Sequence, residues 1–336
     1  MTLDVTRLDS ATKLPAEWDA LATSGFQRRD FLDHTDRENQ CAQRYYVGRQ
    51  DGRLVAGACV YTIRLDLLTF LHIKSPVRMH VLGVPCSVSA PGLIGEVADA
   101  TLLCQEVMGR ERGLLVGLNL DHPVDLPGLA SGRTLPTVTM RLTFGSWRDY
   151  LGALRSSYRR RVERIGRKWS GVTSERGPCD RFEDVLHRQY LDVLGHSAAR
   201  LERLSVRFFE KLPERFHLTV HRRDGRPVAW HVAATDGGHR SFFLGGIDYR
   251  TNQADHNYFN LLSAVVREAI EDGATTLDLG QTAEVPKTRL GGTIVEKGMF
   301  GWHSNGVARG LLRLGRGLLD YRTRVPEVHV FRTPVT

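Results

Sequence analysis

The chain contains the same strand pair twice. Residues 46–60 return 173 residues later as residues 219–233, with seven of fifteen positions identical. In each copy an Asp-Gly pair, Asp51-Gly52 or Asp224-Gly225, separates two apolar runs, which is the short-range signature of a β-hairpin. A strand, a helix and a second strand follow each hairpin. The repeat predicts two copies of one domain; the alternative is a chance match between two common hairpins.

The copies divide the chain into two domains of ordinary size. A strand at 137–144 is expected to close the first copy, so the predicted domains are 1–145 and 146–336. Hydrophobic content of 41% and charged content of 25% are typical of a globular protein. No run approaches the roughly 20 apolar residues of a membrane span, and the N-terminus lacks signal-peptide order, so a cytoplasmic location is expected.

Cysteine and histidine do not form known site patterns. The five cysteines are isolated, without Cys-x-x-Cys or a matched histidine spacing. Neither a disulfide framework nor a zinc site is therefore predicted, and the cysteines are expected to be buried apolar residues. The thirteen histidines contain no His-Glu-x-x-His motif. No metal and no bound cofactor are predicted.

Residues 146–169 place apolar side chains at spacings of three and four, which predicts one amphipathic helix. Between Arg155 and Lys168 there are seven bases and one acid, Glu163, so this stretch carries +6 of the chain's formal charge of +8. Such a concentration repels itself unless an anion is near. An anionic partner is predicted; a solvated surface face is the plain alternative, and an acidic membrane surface is a weaker one.

The first candidate for chemistry is an apolar strand at 275–280 that ends in polar residues. A loop carrying Lys287 and Arg289 follows it. Polar groups at the carboxyl end of a strand commonly face a ligand crevice. A solvent-exposed turn with two surface bases is the alternative interpretation.

Together, the hairpin, the basic helix, the strand Asp278-Leu279-Gly280 and the segment 286–291 resemble the tandem-domain acyltransferases of the GNAT superfamily. They are similar in particular to the Fem-type peptidyltransferases and related predicted N-acyltransferases. The resemblance covers nearly the whole chain and is specific in its second half. It implies an α+β fold of two tandem GNAT-like domains, each a mixed, mainly antiparallel sheet flanked by helices, and it implies acyltransferase activity.

The resemblance also implies roles for residues of the second domain. In the Fem-type group an Asp-x-Gly-Gly strand is followed by an aromatic-Lys pair and then Gly; here residues 278–280 and 287–291 match, while Pro286 replaces the aromatic. Lys287 is thereby expected beside the reacting centre, where an ammonium steadies an oxyanion or a phosphate. The predicted substrate-binding residues are Asp278, Gln281, Thr282, Arg289, Asn257 and Tyr258.

An acceptor amine must lose a proton when it attacks an ester or thioester. The candidate bases are His231 on the repeated strand, Asp248 after the Leu-Gly-Gly step, and His256 at a helix start. Each has an ordinary structural alternative. The sequence has no Gly-x-Ser-x-Gly motif and no Walker loop, so direct attack on a bound acyl donor is expected, with positioning as the main catalytic effect.

In Fem-type enzymes the donor is an aminoacyl-tRNA, which agrees with the basic helix. The predicted tRNA contacts are Arg155, Arg159, Arg160, Arg164, Arg167 and Lys168. Members that use coenzyme A carry a glycine-rich loop before a helix, because backbone amides there must approach the pyrophosphate; no glycine stands between Arg250 and the helix here.

The predicted function is therefore transfer of an aminoacyl group from aminoacyl-tRNA to a small amine or hydroxyl acceptor. The same fold with acyl-CoA or an acyl carrier protein as donor is the alternative, and a non-catalytic nucleic-acid-binding protein is the remote one. The first domain has Val116-GLNL where the second has Asp278-LGQT, and no counterpart of Lys287. It is expected to be a degenerate copy that supplies acceptor contacts.

Overall fold

The computed structural model describes residues 3–39, 41–66, 76–86, 88–197, 202–321 and 325–333. The chain forms two compact units. The first unit is Met1–Pro136 with Glu296–Thr323, and the second is Thr137–Val295 with Arg324–Thr336. This division differs from the expected boundary at 145/146, because residues 137–145 belong to the second unit and residues 296–323 to the first.

The first unit is one sheet with helices. Its strands are β1 (Asp4–Leu8), β2 (Arg44–Gln50), β3 (Arg53–Asp66), β4 (Pro76–Leu82), β5 (Leu93–Gly95), β6 (Leu114–Leu120), β7 (Ala130–Arg133) and β15 (Gly298–His303). Its helices are α1 (Trp18–Leu21), α2 (Arg29–Glu38), α3 (Val97–Arg110) and α11 (Gly306–Leu314). The strand order is β1-β2-β3-β4-β6-β15-β7, with β5 on β3, and only β4 and β6 pair in parallel among the described strands.

The second unit repeats this plan. Its strands are β8 (Thr137–Arg141), β9 (Val172–Pro178), β10 (Phe216–Arg223), β11 (Arg226–Asp236), β12 (His239–Ile247), β13 (Thr276–Gln281) and β14 (Thr293–Val295). Its helices are α4 (Trp147–Ala153), α5 (Ser156–Gly166), α6 (Asp184–His196), α7 (Val206–Glu210), α8 (Tyr249–Asp255), α9 (Asn257–Glu271) and α10 (Glu284–Thr288). The order is β14-β8-β13-β12-β11-β10-β9, with β12 and β13 parallel.

The two hairpins correspond residue by residue. Each has a β-bulge at the same place, between Gly48 and Arg49 in β2 and between His221 and Arg222 in β10. Both Asp-Gly turns have positive φ at both residues, which glycine adopts freely. The predicted α+β fold, with two mainly antiparallel sheets flanked by helices, is confirmed.

One strand of each sheet comes from the other half of the chain. β8 was expected to close the first copy, but it pairs antiparallel with β13 in the second unit. β15 was expected to continue the second copy, but it pairs antiparallel with β6 in the first unit. Alternating side chains predict that a segment is a strand and not which sheet it joins, because any sheet edge offers the same backbone groups.

The basic segment 146–169 was predicted to be one continuous helix, and this prediction is wrong. It forms α4, α5 and a short 3-10 turn at Arg167–Trp169, with a break at Leu154, whose backbone is extended at φ −67° and ψ 144°. Leu154 forms a bridge with Phe331, and the Arg155 N–H donates to the Val330 carbonyl at 2.9 Å. A tertiary contact with the C-terminal segment therefore replaces one turn of helix.

The core of the second unit lies between the sheet and α9. Leu262, Val265, Val266 and Ala269 of α9 are fully buried, and they belong to one cluster with residues of β13, β8 and α5. Burial of each large apolar side chain contributes about 1.5–3 kcal/mol. This cluster fixes α5 and α9 against the strand that ends at the candidate site.

Candidate active site

The parallel strands β12 and β13 stop pairing before either strand ends. Their register runs from His239↔Thr276 to Ser241↔Asp278, whereas β12 continues to Ile247 and β13 to Gln281. In the first unit the equivalent pairing continues to Leu82, the last residue of β4. Only the second sheet therefore opens at the carboxyl ends of its parallel pair, within the part of the chain that the structure describes. Strand edges that separate in this way present backbone groups to an extended ligand.

The turn after β13 has an unusual backbone that its own side chains hold. Gly280, Thr282 and Ala283 have positive φ of 74°, 61° and 50°. The Asp278 carboxylate Oδ1 accepts hydrogen bonds from the Thr137 hydroxyl at 2.6 Å and from the Gly280 N–H at 2.8 Å. Asp278 thus fixes the shape of this turn. In the turn itself, Gln281 is half-buried and Thr282 is exposed.

Lys287 on α10 lies against the same turn. Its side chain is buried, at 2% exposure, and its Nζ donates to the carbonyl oxygens of Gly280 at 2.9 Å and Gln281 at 2.7 Å. Burial lowers the pKa of Lys287 to about 8, although the nearby charges of Asp278 and Glu284 favour the protonated form. The ammonium is held at the end of β13, where the two strands have separated.

A second basic side chain approaches Arg289 from another element. Arg161 of α5 is close enough to Arg289 that, after burial, the charges of Arg289 and Arg164 lower its pKa. Its Nε is buried without a hydrogen-bond partner among the described residues, and its guanidinium lies 5.5 Å from the centre of the Phe259 ring. Arg161 was not among the predicted anion contacts.

The other predicted bases of this region are mostly accessible. Arg155, Arg160, Arg164, Arg167 and Lys168 are exposed, and Arg159 is half-buried. The Arg155 Nε donates to the Phe331 carbonyl at 3.1 Å, so this residue also holds the C-terminal segment. The remaining residues leave a positively charged surface on α5 and the turn after it.

The structure gives two candidate bases strong partners. Asp248 caps α8, and its carboxylate accepts from the Arg250 N–H at 3.0 Å and from the Arg250 guanidinium at 2.9 and 2.8 Å. The hydrogen bond from Arg250 lowers the pKa of Asp248. His231 is fully buried, and its Nε2 lies 3.2 Å from Glu268 Oε2.

A separate helix, α8, precedes α9, and His256, which has a left-handed backbone with φ 53°, lies between them. Asn257 donates to the Asp248 carbonyl at 3.1 Å and to the Thr251 hydroxyl at 2.8 Å, and its Oδ1 accepts from Trp169 Nε1 at 3.0 Å. These bonds join three segments through one buried amide.

One of the free backbone amides at the beginning of α9 has a partner within the protein. The Tyr258 N–H donates to Asn252 Oδ1 at 3.0 Å. The Tyr258 ring is largely enclosed, and burial raises its pKa. The Tyr258 amide is therefore not free to bind a ligand in this conformation.

His221, His231 and Glu268 place potential ligand atoms within 4.8 Å of one another, a set that metal ions also use. However, Glu268 Oε2 already accepts from the Arg240 Nη2 at 2.8 Å and from the Thr219 hydroxyl at 3.2 Å. A guanidinium in contact with the only carboxylate of the set opposes a cation there. The residues fit a hydrogen-bonded network better than a metal site.

Comparison with known proteins agrees with this geometry. Residues 152–288 match the family described as acetyltransferase (GNAT) domain. No curated protein matches the sequence. The fold is similar to that of FemX, at 13% identity over 81% of this chain and 90% of that one, with a TM-score of 0.53.

Two further solved structures share the fold. L-PGS from Bacillus licheniformis has a TM-score of 0.51 at 14% identity, over 90% of this chain and 96% of that one. A tandem GNAT protein from the clavulanic acid biosynthesis pathway has a TM-score of 0.51 at 12% identity, over 90% and 99%. Residues 152–288 are thus a GNAT acyltransferase domain, and the chain as a whole has a Fem-like tandem GNAT fold. No helix in the described ranges is both long and apolar enough to cross a membrane.

Proposed function

We propose that the protein transfers an aminoacyl group from aminoacyl-tRNA to a small amine or hydroxyl acceptor at the opening between β12 and β13. The observations that carry the proposal are an amide already bonded at the beginning of α9 and the basic α5 that packs beside it. The first feature disfavours a coenzyme A pyrophosphate, and the second favours a larger polyanion. A cytoplasmic location follows from a tRNA donor.

Helix N-termini bind pyrophosphate through free backbone amides. In α9 the Tyr258 amide already donates to Asn252, and α8 directly precedes the helix. A pyrophosphate would have to displace Asn252 and the residues that Asn257 holds in place. An aminoacyl ester of tRNA requires no such contact.

Positive charge surrounds the same region. Arg160, Arg164, Arg167 and Lys168 are exposed along α5 and its following turn. Arg161 and Arg289 converge from two elements, and the Arg161 Nε has no protein partner among the described residues. Each phosphate that these bases neutralise releases counterions and strengthens binding at low salt.

The chemistry needs charge stabilisation rather than a covalent intermediate at this opening. A lysine ammonium has three donors, and Lys287 uses two on the carbonyls of Gly280 and Gln281. The third is directed to the oxyanion that forms when the acceptor attacks the aminoacyl carbonyl. A bond from the acceptor nitrogen or oxygen to carbon forms and the ester C–O bond breaks, while the proton that the acceptor loses to the base passes to the departing ribose oxygen of the tRNA. His231 and Asp248 stay the predicted bases, and the first unit the predicted source of acceptor contacts.

A second candidate function has one observation in its favour. The separated edges of β12 and β13 suit a narrow extended chain with amide groups, such as the arm that carries an acyl group on coenzyme A or a carrier protein. The donor would then reach the same carbonyl position beside Lys287. This alternative shares the reaction and differs only in the donor.

Filter binding of charged and uncharged tRNA across a salt series distinguishes the donors, with an acyl-CoA as competitor. We expect submicromolar, salt-dependent binding that prefers the charged form and is insensitive to acyl-CoA. Failure to bind tRNA, together with saturable acyl-CoA binding, would replace the first proposal with the second.

A further inference from the structure

A line of hydrogen-bonding side chains crosses the second unit from its surface to its interior. The Ser174 Oγ lies 2.7 Å from His221 Nδ1, His221 Nε2 lies 3.4 Å from His231 Nδ1, and His231 Nε2 lies 3.2 Å from Glu268 Oε2. Both imidazoles are fully buried. The four side chains are therefore one continuous relay, which we call the Ser174 relay.

The carboxylate sets the direction of every bond in the relay. Burial by itself would raise the pKa of Glu268, but the hydrogen bond from His231 and the charges of His231 and Arg240 lower it to about 2, so Glu268 is an acceptor. His231 must then donate from Nε2 and accept at Nδ1. His221 in turn donates from Nε2 and accepts at Nδ1, and the Ser174 hydroxyl donates to it. This is the order that activates a serine nucleophile.

The fold itself does not require the relay. The two hairpins and their neighbouring strands share one register, in which Val5 pairs with Gly48 as Ser174 pairs with His221. Ala58 takes the place of His231, since Tyr46↔Ala58 corresponds to Thr219↔His231. In the first unit these positions hold Val5, Gly48 and Ala58. The first sheet packs without any imidazole where the second buries two.

The outer end of the relay is accessible. Ser174 is exposed on β9, the terminal strand of the second sheet, and lies directly across from His221. The Trp169 ring packs against the buried His221 at a centroid distance of 4.9 Å. A carbonyl carbon can thus approach Ser174 Oγ from solvent.

We propose that Ser174 is a nucleophile that accepts an acyl group from small activated esters or thioesters, with His221 as its base and His231 and Glu268 as positioning residues. The site shares His231 with the bases proposed for the opening beside Lys287, and the proposal does not depend on which donor is used there.

The step balances within the relay. Ser174 Oγ forms a bond to the carbonyl carbon while its proton passes to His221 Nδ1, and the Nε2 proton of His221 passes to His231 Nδ1. The bond to the leaving oxygen or sulfur then breaks, and that group takes a proton as the relay returns to its neutral state. The acyl-serine is cleared by water or by an amine.

The second proton transfer, from His221 to His231, explains why His221 functions as a base despite its burial. Burial and the charge of His231 lower the pKa of His221 to about 3, so a lone imidazole here would be a weak base. With the relay the positive charge comes to rest on His231, 3.2 Å from the ionised Glu268. Glu268 also pairs with Arg240, so it compensates the charge on the imidazoles only in part.

The test mixes the full-length protein with p-nitrophenyl acetate and follows release of p-nitrophenolate. We expect a burst of one equivalent per chain and an acetyl group on the peptide that contains Ser174, found by mass spectrometry. Ser174→Ala should remove both, whereas Thr173→Ala, at the exposed neighbouring position, should retain them. Ser174→Cys should restore acylation.

The positioning residues are tested by Glu268→Gln and His231→Gln. General-base assistance is worth roughly 100-fold to 10,000-fold, so each change should slow acylation at least about 100-fold without altering the ester concentration that half-saturates the burst. Structural damage would instead change both values and the melting temperature. If Glu268→Gln or His231→Gln fails to fold, the comparison of Ser174→Ala with Ser174→Cys still tests whether Ser174 is the nucleophile.

Acetyl groups found only on lysines, or a burst that survives Ser174→Ala, would overturn the proposal. Loss of the burst on chelation, with recovery on adding zinc alone, would also overturn it in favour of a metal site at His221, His231 and Glu268. tRNA and coenzyme A are absent from this assay, so failure of the donor proposal leaves its result unchanged.

Discussion

The Nζ of Lys287 donates to the carbonyl oxygen of Gln281 at 2.7 Å, which places a buried ammonium at the point where β12 and β13 have separated. The positive φ of Gly280 turns the strand end so that two successive carbonyls meet the same ammonium. The lysine therefore shapes the opening and also presents a charge to it. Substitution of Lys287 can therefore be used to measure the structural and the catalytic contribution separately.

Replacing Lys287 with Met should abolish turnover, because the isosteric side chain supplies no oxyanion donor. Leaving the two carbonyls without their partner costs about 1–3 kcal/mol for each, and we expect the protein to remain folded. Turnover with a panel of charged tRNAs and amine acceptors, together with a urea unfolding curve, measures both effects.

Lys297 gives a matched control. It is another buried lysine, at 8% exposure, bonded to Asp121 in the first unit. Lys297→Met should alter stability with little effect on turnover. An active, folded Lys287→Met protein would remove the central site assignment.

The pH dependence of kcat/KM follows from the lowered pKa of Lys287. Since only the ammonium has a positive charge and a third N–H donor, kcat/KM should fall as pH rises through about 8. The unfolded lysine keeps its proton to higher pH than the folded one, so the contribution of this group to stability rises between about 8 and its ordinary value. A Lys287→Arg protein, if active, should lack the alkaline fall.

Charge reversal at Arg160 and Arg164 should weaken tRNA binding and flatten its salt dependence. Each lost phosphate contact lowers the log-log slope by about 0.7–0.9. Reversal of the exposed Arg188 on α6 is the control and should change neither quantity. Equal affinity of the reversed and wild-type proteins would make α5 an ordinary solvated surface.

The position of β8 predicts where the second half can be cut. A fragment of residues 137–336 retains β8, whereas a fragment of 146–336 leaves the edge of β13 unpaired. The longer fragment should unfold with the higher urea midpoint, because Val138 and Met140 of β8 lie in its core. Identical unfolding curves would show that β8 adds no stability to the second unit.

Asn257→Leu should destabilise the second unit. The change leaves the Trp169 Nε1–H and the Asp248 carbonyl without their partner, at a cost of about 1–3 kcal/mol for each buried group. Urea unfolding measures the effect. Asn305→Leu, which removes an exposed helix cap in the first unit, should cost about 1 kcal/mol and provides the comparison.

The repeated hairpin and the polar end of β13 are local patterns, and the sequence determined both. Alternation and Asp-Gly turns predict the hairpins because they reflect neighbouring residues, and the Lys287 segment follows its strand within a few positions. The expected burial of the cysteines also holds for Cys59, Cys86, Cys104 and Cys179.

Only the tertiary structure decided which sheet receives β8 and β15, where the basic helix breaks, and which side chains meet. The Ser174 relay joins residues 47, 10 and 37 positions apart, and Arg161 meets Arg289 from a separate element. Sequence periodicity reports which face of an element is buried. The partner on that face is selected by packing between distant segments, which local pattern does not encode.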